Sequence, residues 1–147
     1  MRRFLLCLIP PFLAAITGAF FRPGPWYEAL SKPAWTPPGI VFPVAWNILY
    51  FLMAVTLYFL WKDIKERKIA FILFWIILAF NALWSPVFLG MHEILAGLAI
   101  LLVMVFCQFL LLWRVKKSSL LTILNIPYFL WLSFAMALNA EILRLSL

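Results

Sequence analysis

Charge is scarce in this chain. Of 147 residues only five are acidic and twelve are basic, 12% in all, and there is one histidine, His92, with two cysteines, Cys7 and Cys107. Ordinary soluble domains carry about a quarter charged residues. A composition this poor in charge excludes intrinsic disorder, two cysteines exclude a disulfide scaffold, and five glycines exclude a collagen-like repeat. A single histidine leaves no His-rich metal site, so no metal is expected, and His92-Glu93 reads as a turn rather than as part of a catalytic triad. Cys7 and Cys107 both fall near the same end of their helices and read as small buried apolar residues, not as a disulfide.

Apolar side chains fill the chain instead: 67% are hydrophobic and 18% aromatic, with eight tryptophans and a mean hydropathy of +1.09. A soluble globule of 17.1 kDa has too little interior to hide that much apolar surface. Lipid is therefore the solvent for most of the molecule. The net charge of +7 sits in short clusters between apolar runs, which suits an orienting signal for membrane insertion rather than nucleic acid, and no nucleic-acid partner is expected.

Cutting the sequence at its charges leaves five windows without Asp, Glu, Lys or Arg: 4–21, 41–61, 69–91, 94–113 and 118–140. Each is long enough to cross the ~30 Å hydrocarbon core as a helix, whereas a β-barrel would show ~10-residue segments of alternating polarity. The predicted fold is an all-α integral membrane protein, one domain over 1–147 with five transmembrane helices and a connecting segment at 22–40. The first window, preceded by Arg2 and Arg3, also resembles a signal peptide, but its apolar run through Phe21 favours a retained helix. Pro10 and Pro11 should kink it, and Ala14/Gly18 and Ala15/Ala19 are small-residue pairs suited to close helix contact.

With five spans, the N-terminus and the second and fourth connections share one side. That side carries Arg2, Arg3, Lys62, Lys65, Arg67, Lys68, Arg114, Lys116 and Lys117, against Arg22, Lys32 and Arg144 on the other. The imbalance predicts a cytoplasmic N-terminus if the membrane is a bacterial cell membrane. Trp61 and Trp113 read as interfacial anchors on the inner side.

Segment 22–40, RPGPWYEALSKPAWTPPGI, contains five prolines and the aromatics Trp26, Tyr27 and Trp35. It reads either as an interfacial belt or as a lid over a cavity at the outer end, with a short helix possible from Trp26 to Ser31. Depth brings other residues beneath it. Trp46 lies about 8 Å below the outer surface, with Tyr50 one turn deeper, and Trp131 lies about 20 Å above the inner surface. Asn81, Trp84 and Phe88 share a helix face near the outer end, and Ala135 leaves space one turn from Trp131. Trp46, Tyr50, Asn81, Trp84 and Trp131 thus occupy one slab. An amide in hydrocarbon needs a partner, and an aromatic slab with a few polar groups suits a flat, hydrophobic ligand. Simple packing of the same aromatics is the alternative.

WYEALSKPAWTPPG, followed by Trp46 and Tyr50, then N-x-x-W-x-P-x-F-x-G from Asn81 to Gly90, then PYFLWLSFAMALN from Pro127 to Asn139, resembles the translocator protein family. Its members are also called tryptophan-rich sensory proteins or peripheral-type benzodiazepine receptors. The resemblance implies a five-helix bundle, usually a homodimer, with a ligand cavity near the first loop that takes porphyrins such as protoporphyrin IX and haem. Several members also bind sterols and isoquinoline carboxamides. It further implies Tyr27, Pro37, Trp46, Asn81, Trp84, Trp131 and Ala135 as ligand-pocket residues, with Phe42 and Tyr50 at variable lining positions. Trp46 and Trp131 match a pair implicated in light-dependent porphyrin breakdown, which would make them catalytic only if that reaction occurs here. The porphyrin is a ligand, and no obligatory cofactor is implied.

Two positions depart from the pattern: Ile100 replaces a common acidic residue, and the stretch Leu138 to Arg144 lacks the tyrosine of the sterol-recognition pattern. High sterol affinity is therefore not expected; Val55, Tyr58 and Lys62 fit that pattern only in its weak general form. The windows hold no Asp, Glu, Lys or Arg and no inverted repeat, so coupled transport is disfavoured, while facilitated passage of tetrapyrroles or sterols stays open.

Overall fold

The structure is a computed structural model and describes residues 2–147. Where lipid replaces water, every backbone N–H and C=O must find a partner within the chain, and an apolar run of this length does so by coiling. Five long helices result: α1 (Arg2–Phe20), α3 (Val41–Lys62), α4 (Lys68–Ser85), α5 (Ile94–Val115) and α6 (Ser119–Ser146), with a short α2 (Pro25–Ala29) in the first connection. The protein is a multi-pass membrane protein with an all-α fold.

The ends of the helices have local causes. Pro25 begins α2 where its missing N–H is harmless, and Gly24 before it is extended. α2 stops at Ala29, two residues short of the predicted piece, because the Lys32 ammonium folds back onto the carbonyls of Tyr27, Glu28 and Leu30. α4 passes directly into a π-turn, Pro86–Gly90, in which Met91 N–H donates to the Pro86 carbonyl at 2.8 Å. α6 runs six residues beyond the charge-free window ending at 140. Glu141 and Arg144 continue the helix by facing outward as an i,i+3 pair, with Arg144 donating to both carboxylate oxygens at 2.9 and 2.6 Å. Pro10, Pro11 and Pro127 lie inside α1 and α6 without ending them.

The long helices close into a ring in the spatial order α1, α3, α6, α5, α4, and α3 also touches α4 across it. Leu49, Met53, Leu57 and Leu60 of α3 meet Phe74 and Ile77 of α4, Leu101, Met104 and Leu111 of α5, and Leu121, Tyr128 and Leu132 of α6. α1 is the least embedded, entering through Cys7, Pro11 and Ala14. The Ala14/Gly18 pair is used inside the chain: Ala14 is buried, and a Cβ at Gly18 would lie 3.6 Å from Ser85 Oγ on α4. Cys7 and Cys107 are both buried and free. Large apolar residues such as Phe106, Ile123 and Leu130 cover the outside of the ring, the face lipid solvates.

One interior polar group ties the half of the bundle that holds the start of α1, the inner half by the expected orientation, the half beneath the first loop being the outer. Asn125 of α6 donates to Thr56 Oγ1 of α3 at 3.2 Å and to the Leu121 carbonyl at 2.8 Å, and accepts from Gln108 of α5 at 3.0 Å. All three side chains are buried.

Candidate functional site

The outer half is organised by Asn81. Its Oδ1 accepts from the Tyr50 hydroxyl at 2.9 Å, and its Nδ2 donates to the Tyr128 hydroxyl at 3.0 Å, so one amide of α4 joins α3 and α6. All three are buried. Each partner is a neutral hydrogen-bonding group, so the relay satisfies a buried amide without placing a charge in hydrocarbon.

Aromatic rings are built outward from this relay. Trp46, one turn from Tyr50, stacks on the Tyr50 ring at 5.5 Å and meets Tyr128 edge-on at 6.3 Å. Trp46 and Trp131 meet at 6.4 Å with planes 86° apart, and Phe42, one turn further out, meets Trp131 at 5.9 Å. Ala135 packs against the same group. Trp131 continues to Phe134, and Phe134 to Trp35 of the proline-rich loop.

A second aromatic group sits beside the first. The π-turn aims Phe88 inward, where it lies flat on Trp84 at 4.8 Å and is covered edge-on by Trp26 at 5.7 Å and Tyr27 at 6.2 Å. π-turns of this kind displace a side chain by part of a turn, which lets Phe88 stack on the indole one turn before it. Trp26 also stacks on His92 at 4.3 Å, and His92 adopts a positive φ of 63° at the turn before α5. The first loop is thus pinned to the α4–α5 turn by an indole–imidazole stack.

Of the residues singled out in the sequence, Phe42, Trp46, Tyr50, Asn81, Trp131 and Ala135 gather in the first group and Tyr27 and Trp84 in the second. Pro37 is half-buried in the loop and adds no ring contact. Phe88, placed by its spacing on the face of Asn81 and Trp84, completes the second group, and Tyr128 and Asn139 complete the constellation without having been among them. Tyr128 carried a signal, lying three residues before Trp131 and so on its face. Asn139 carried another, as an amide in a charge-free window.

The chemistry available is narrow. Asp, Glu, Lys and Arg are absent from the first group, and the second meets one charge at its loop side, the Lys32 ammonium 4.7 Å from the centre of the Tyr27 ring; burial pushes the Tyr27 phenol up from its ordinary range, so it stays a neutral donor. Among the described residues no three His, Cys, Asp or Glu side chains gather as metal ligands would. Indole, phenol and phenyl faces with a few hydrogen-bond donors can stack a flat apolar ring and orient it. The rings now touch one another, so a ligand must enter by parting them. Trp46, Trp84 and Trp131 are only half-buried, and the loop above is the natural way in. The clefts of about 380 Å³ between α1 and α4 (Pro10, Leu13, Ala14, Trp75, Leu78, Ala79, Ala82) and about 140 Å³ at the inner end (Arg3, Tyr58, Trp61, Lys62) lie elsewhere.

A family model described as the TspO/MBR family matches residues 6–145, all five long helices and the loop. The chain belongs to the TspO/MBR family. It is 38% identical over 139 residues to Protein CrtK of Rhodobacter capsulatus, covering 90% of this chain and 86% of that one. It is 38% identical to the tryptophan-rich sensory protein of Cereibacter sphaeroides, covering 90% and 84%. The translocator protein of Ovis aries is 33% identical, covering 84% and 75%. In this TspO/MBR protein, Asn81 and its two tyrosines are the polar centre of an otherwise aromatic outer half.

Proposed function

We propose that this protein is a membrane receptor or sensor that binds porphyrins, protoporphyrin IX and haem among them, and regulates tetrapyrrole handling. The observation that carries the reading is the convergence of Trp46, Trp131 and the Tyr50–Asn81–Tyr128 relay in one slab beneath an aromatic loop. A macrocycle would lie against Trp46 and Trp131, with Phe42 and Ala135 at its edge, Asn81 offering a polar contact from below, and Tyr27, Pro37 and Trp84 closing the loop side. The porphyrin is the ligand rather than an obligatory cofactor. The working form is a homodimer, as the family resemblance implies, in a bacterial cell membrane, as bacterial relatives suggest, with the N-terminus in the cytoplasm, as the charge imbalance suggests.

The contact of Trp46 with Trp131 favours a second reading, light-dependent oxidation of the porphyrin by dioxygen, with these two indoles against the ring that is oxidised. Passive transfer of a tetrapyrrole or sterol across the membrane would use the same surfaces.

The test is titration of the detergent-purified protein with protoporphyrin IX in the dark, read by tryptophan quenching, followed by illumination. Saturable binding that weakens about tenfold in Trp46→Phe/Trp131→Phe is expected, the size of losing one or two ring–ring contacts. Loss of the porphyrin spectrum in the light, absent in the double variant, would establish the photochemical reading. Non-saturable binding, or binding equal in both proteins, would show that the aromatics are packing only.

A further inference from the structure

Among the described residues, four buried polar atoms have no partner in the protein: the indole nitrogens of Trp84 and Trp131, and both ends of the Asn139 amide. All four belong to the outer half. The contrast with the other interior amides is sharp, because Asn81, Gln108 and Asn125 are each bonded to neighbouring helices. Asn139 is only 2% exposed, and an amide buried by protein and left unpaired is costly.

Its position gives the amide a use. Asn139 follows Ala135 by one turn and Trp131 by two, so the three form a stripe on α6 with the amide about 12 Å outward of Trp131. Across from it stands Gly97 of α5, where a Cβ would lie 3.3 Å from Asn139 Nδ2 and 2.9 Å from the Phe88 ring. Glycine therefore leaves no side chain between α5 and the amide, and the Phe88 ring is the group beside it. Trp84, with its own unpaired N–H, stacks on that same Phe88 ring.

We infer that Asn139 is a further ligand-binding residue, whose amide takes a carboxylic acid or carboxamide group of a ring compound lying along the Trp131–Ala135 stripe. A carboxamide presents a donor and an acceptor side by side. An un-ionised carboxylic acid returns an acceptor and a donor in the same spacing, so two parallel hydrogen bonds form and no net charge is buried. The unpaired indole N–H groups of Trp84 and Trp131 supply further donors along the aromatic wall. The assignment rests on the porphyrin reading above and narrows it: the bound macrocycle carries a free acid at its outward end.

The test compares protoporphyrin IX with its dimethyl ester on the full-length protein in detergent, using wild type and Asn139→Leu. The ester keeps the ring and the carbonyl acceptor but cannot donate to Oδ1. Wild type is expected to prefer the acid by on the order of tenfold, the weight of one buried hydrogen bond. Asn139→Leu should weaken the acid on the order of tenfold and the ester by less, while its unliganded form melts no lower than wild type, since leucine removes an unpaired amide. Equal binding of acid and ester by wild type would overturn the assignment and leave porphyrin binding intact. So would a variant that melts lower and loses acid and ester alike, the mark of a structural amide; should leucine prevent folding, Asn139→Ala gives the same comparison. Failure of wild type to bind either compound would remove the porphyrin reading and this assignment with it.

Discussion

Asn81 is the residue on which the outer half turns, and its importance lies less in the bonds it makes than in what it would leave behind. Replaced by leucine, it strands the hydroxyls of Tyr50 and Tyr128, both buried where water cannot serve them. Leaving such groups unpaired costs about 1–3 kcal/mol, whereas removing all the partners together is close to neutral. Asn81→Leu should therefore lower the melting temperature of the detergent-purified protein, and Asn81→Leu combined with Tyr50→Phe and Tyr128→Phe should recover most of the loss. A triple variant no more stable than the single one would show that the amide acts otherwise. Gly97 makes the complementary case of a residue needed for what it lacks. A methyl there would approach the Phe88 ring to 2.9 Å, and overpacking of this kind costs about 1–3 kcal/mol. Gly97→Ala should lower the melting temperature and, by pushing Phe88 off Trp84, change the tryptophan emission. An unchanged spectrum would mean that the ring accommodates the methyl in place.

At the scale of elements, the loop between α1 and α3 is held by few contacts: the Lys32 ammonium on three carbonyls, the Trp26–His92 stack, the rings around Phe88, and Trp35 on Phe134. Lys32→Met removes the first of these, so α2 should fray and amide exchange over 25–32 should speed up, while exchange in α3 to α6 stays as it was, because segments with few buried contacts open locally. Exchange that is unchanged over 25–32 would show that the aromatic contacts alone hold the loop. The long helices were readable from the sequence because a single property, freedom from charge over a membrane's width, marks them. Depth was readable too, since each residue advances a fixed 1.5 Å, and it brought Trp46, Tyr50, Asn81, Trp84 and Trp131 to one level. Azimuth was not. Helices apolar all round carry little sign of which face turns inward, so the split into two aromatic groups, with Tyr128 in one and Phe88 in the other, had to come from packing. The end of α6 was misplaced for a related reason: a charge stops a window but not a helix, and Glu141 with Arg144 satisfy each other on an outward face.

Over the whole molecule the charge is distributed by ends. The start of α1, the α3–α4 turn and the α5–α6 turn bring nine basic and two acidic residues to one end of the bundle, while the other end has three of each. At the basic end the cations rest on aromatic faces, Arg114 and Lys116 each 5.2 Å from the Trp113 ring, which holds them at headgroup depth where the anionic leaflet attracts them. The aromatic site is at the opposite end, so orientation decides which compartment supplies its ligand. The imbalance predicts that the basic end is cytoplasmic and that a ligand of the aromatic site, the proposed porphyrin, would enter from the outer leaflet side. Single cysteines placed in a Cys7→Ala/Cys107→Ala background report this directly, since both native thiols are buried. Ser31→Cys, exposed in the first loop, should react with a membrane-impermeant maleimide on intact cells, and Glu66→Cys, exposed in the α3–α4 turn, only after the membrane is broken. The reverse pattern would place the site on the cytoplasmic side, and reaction of both in intact cells would mean that the chain inserts both ways and that charge does not orient it.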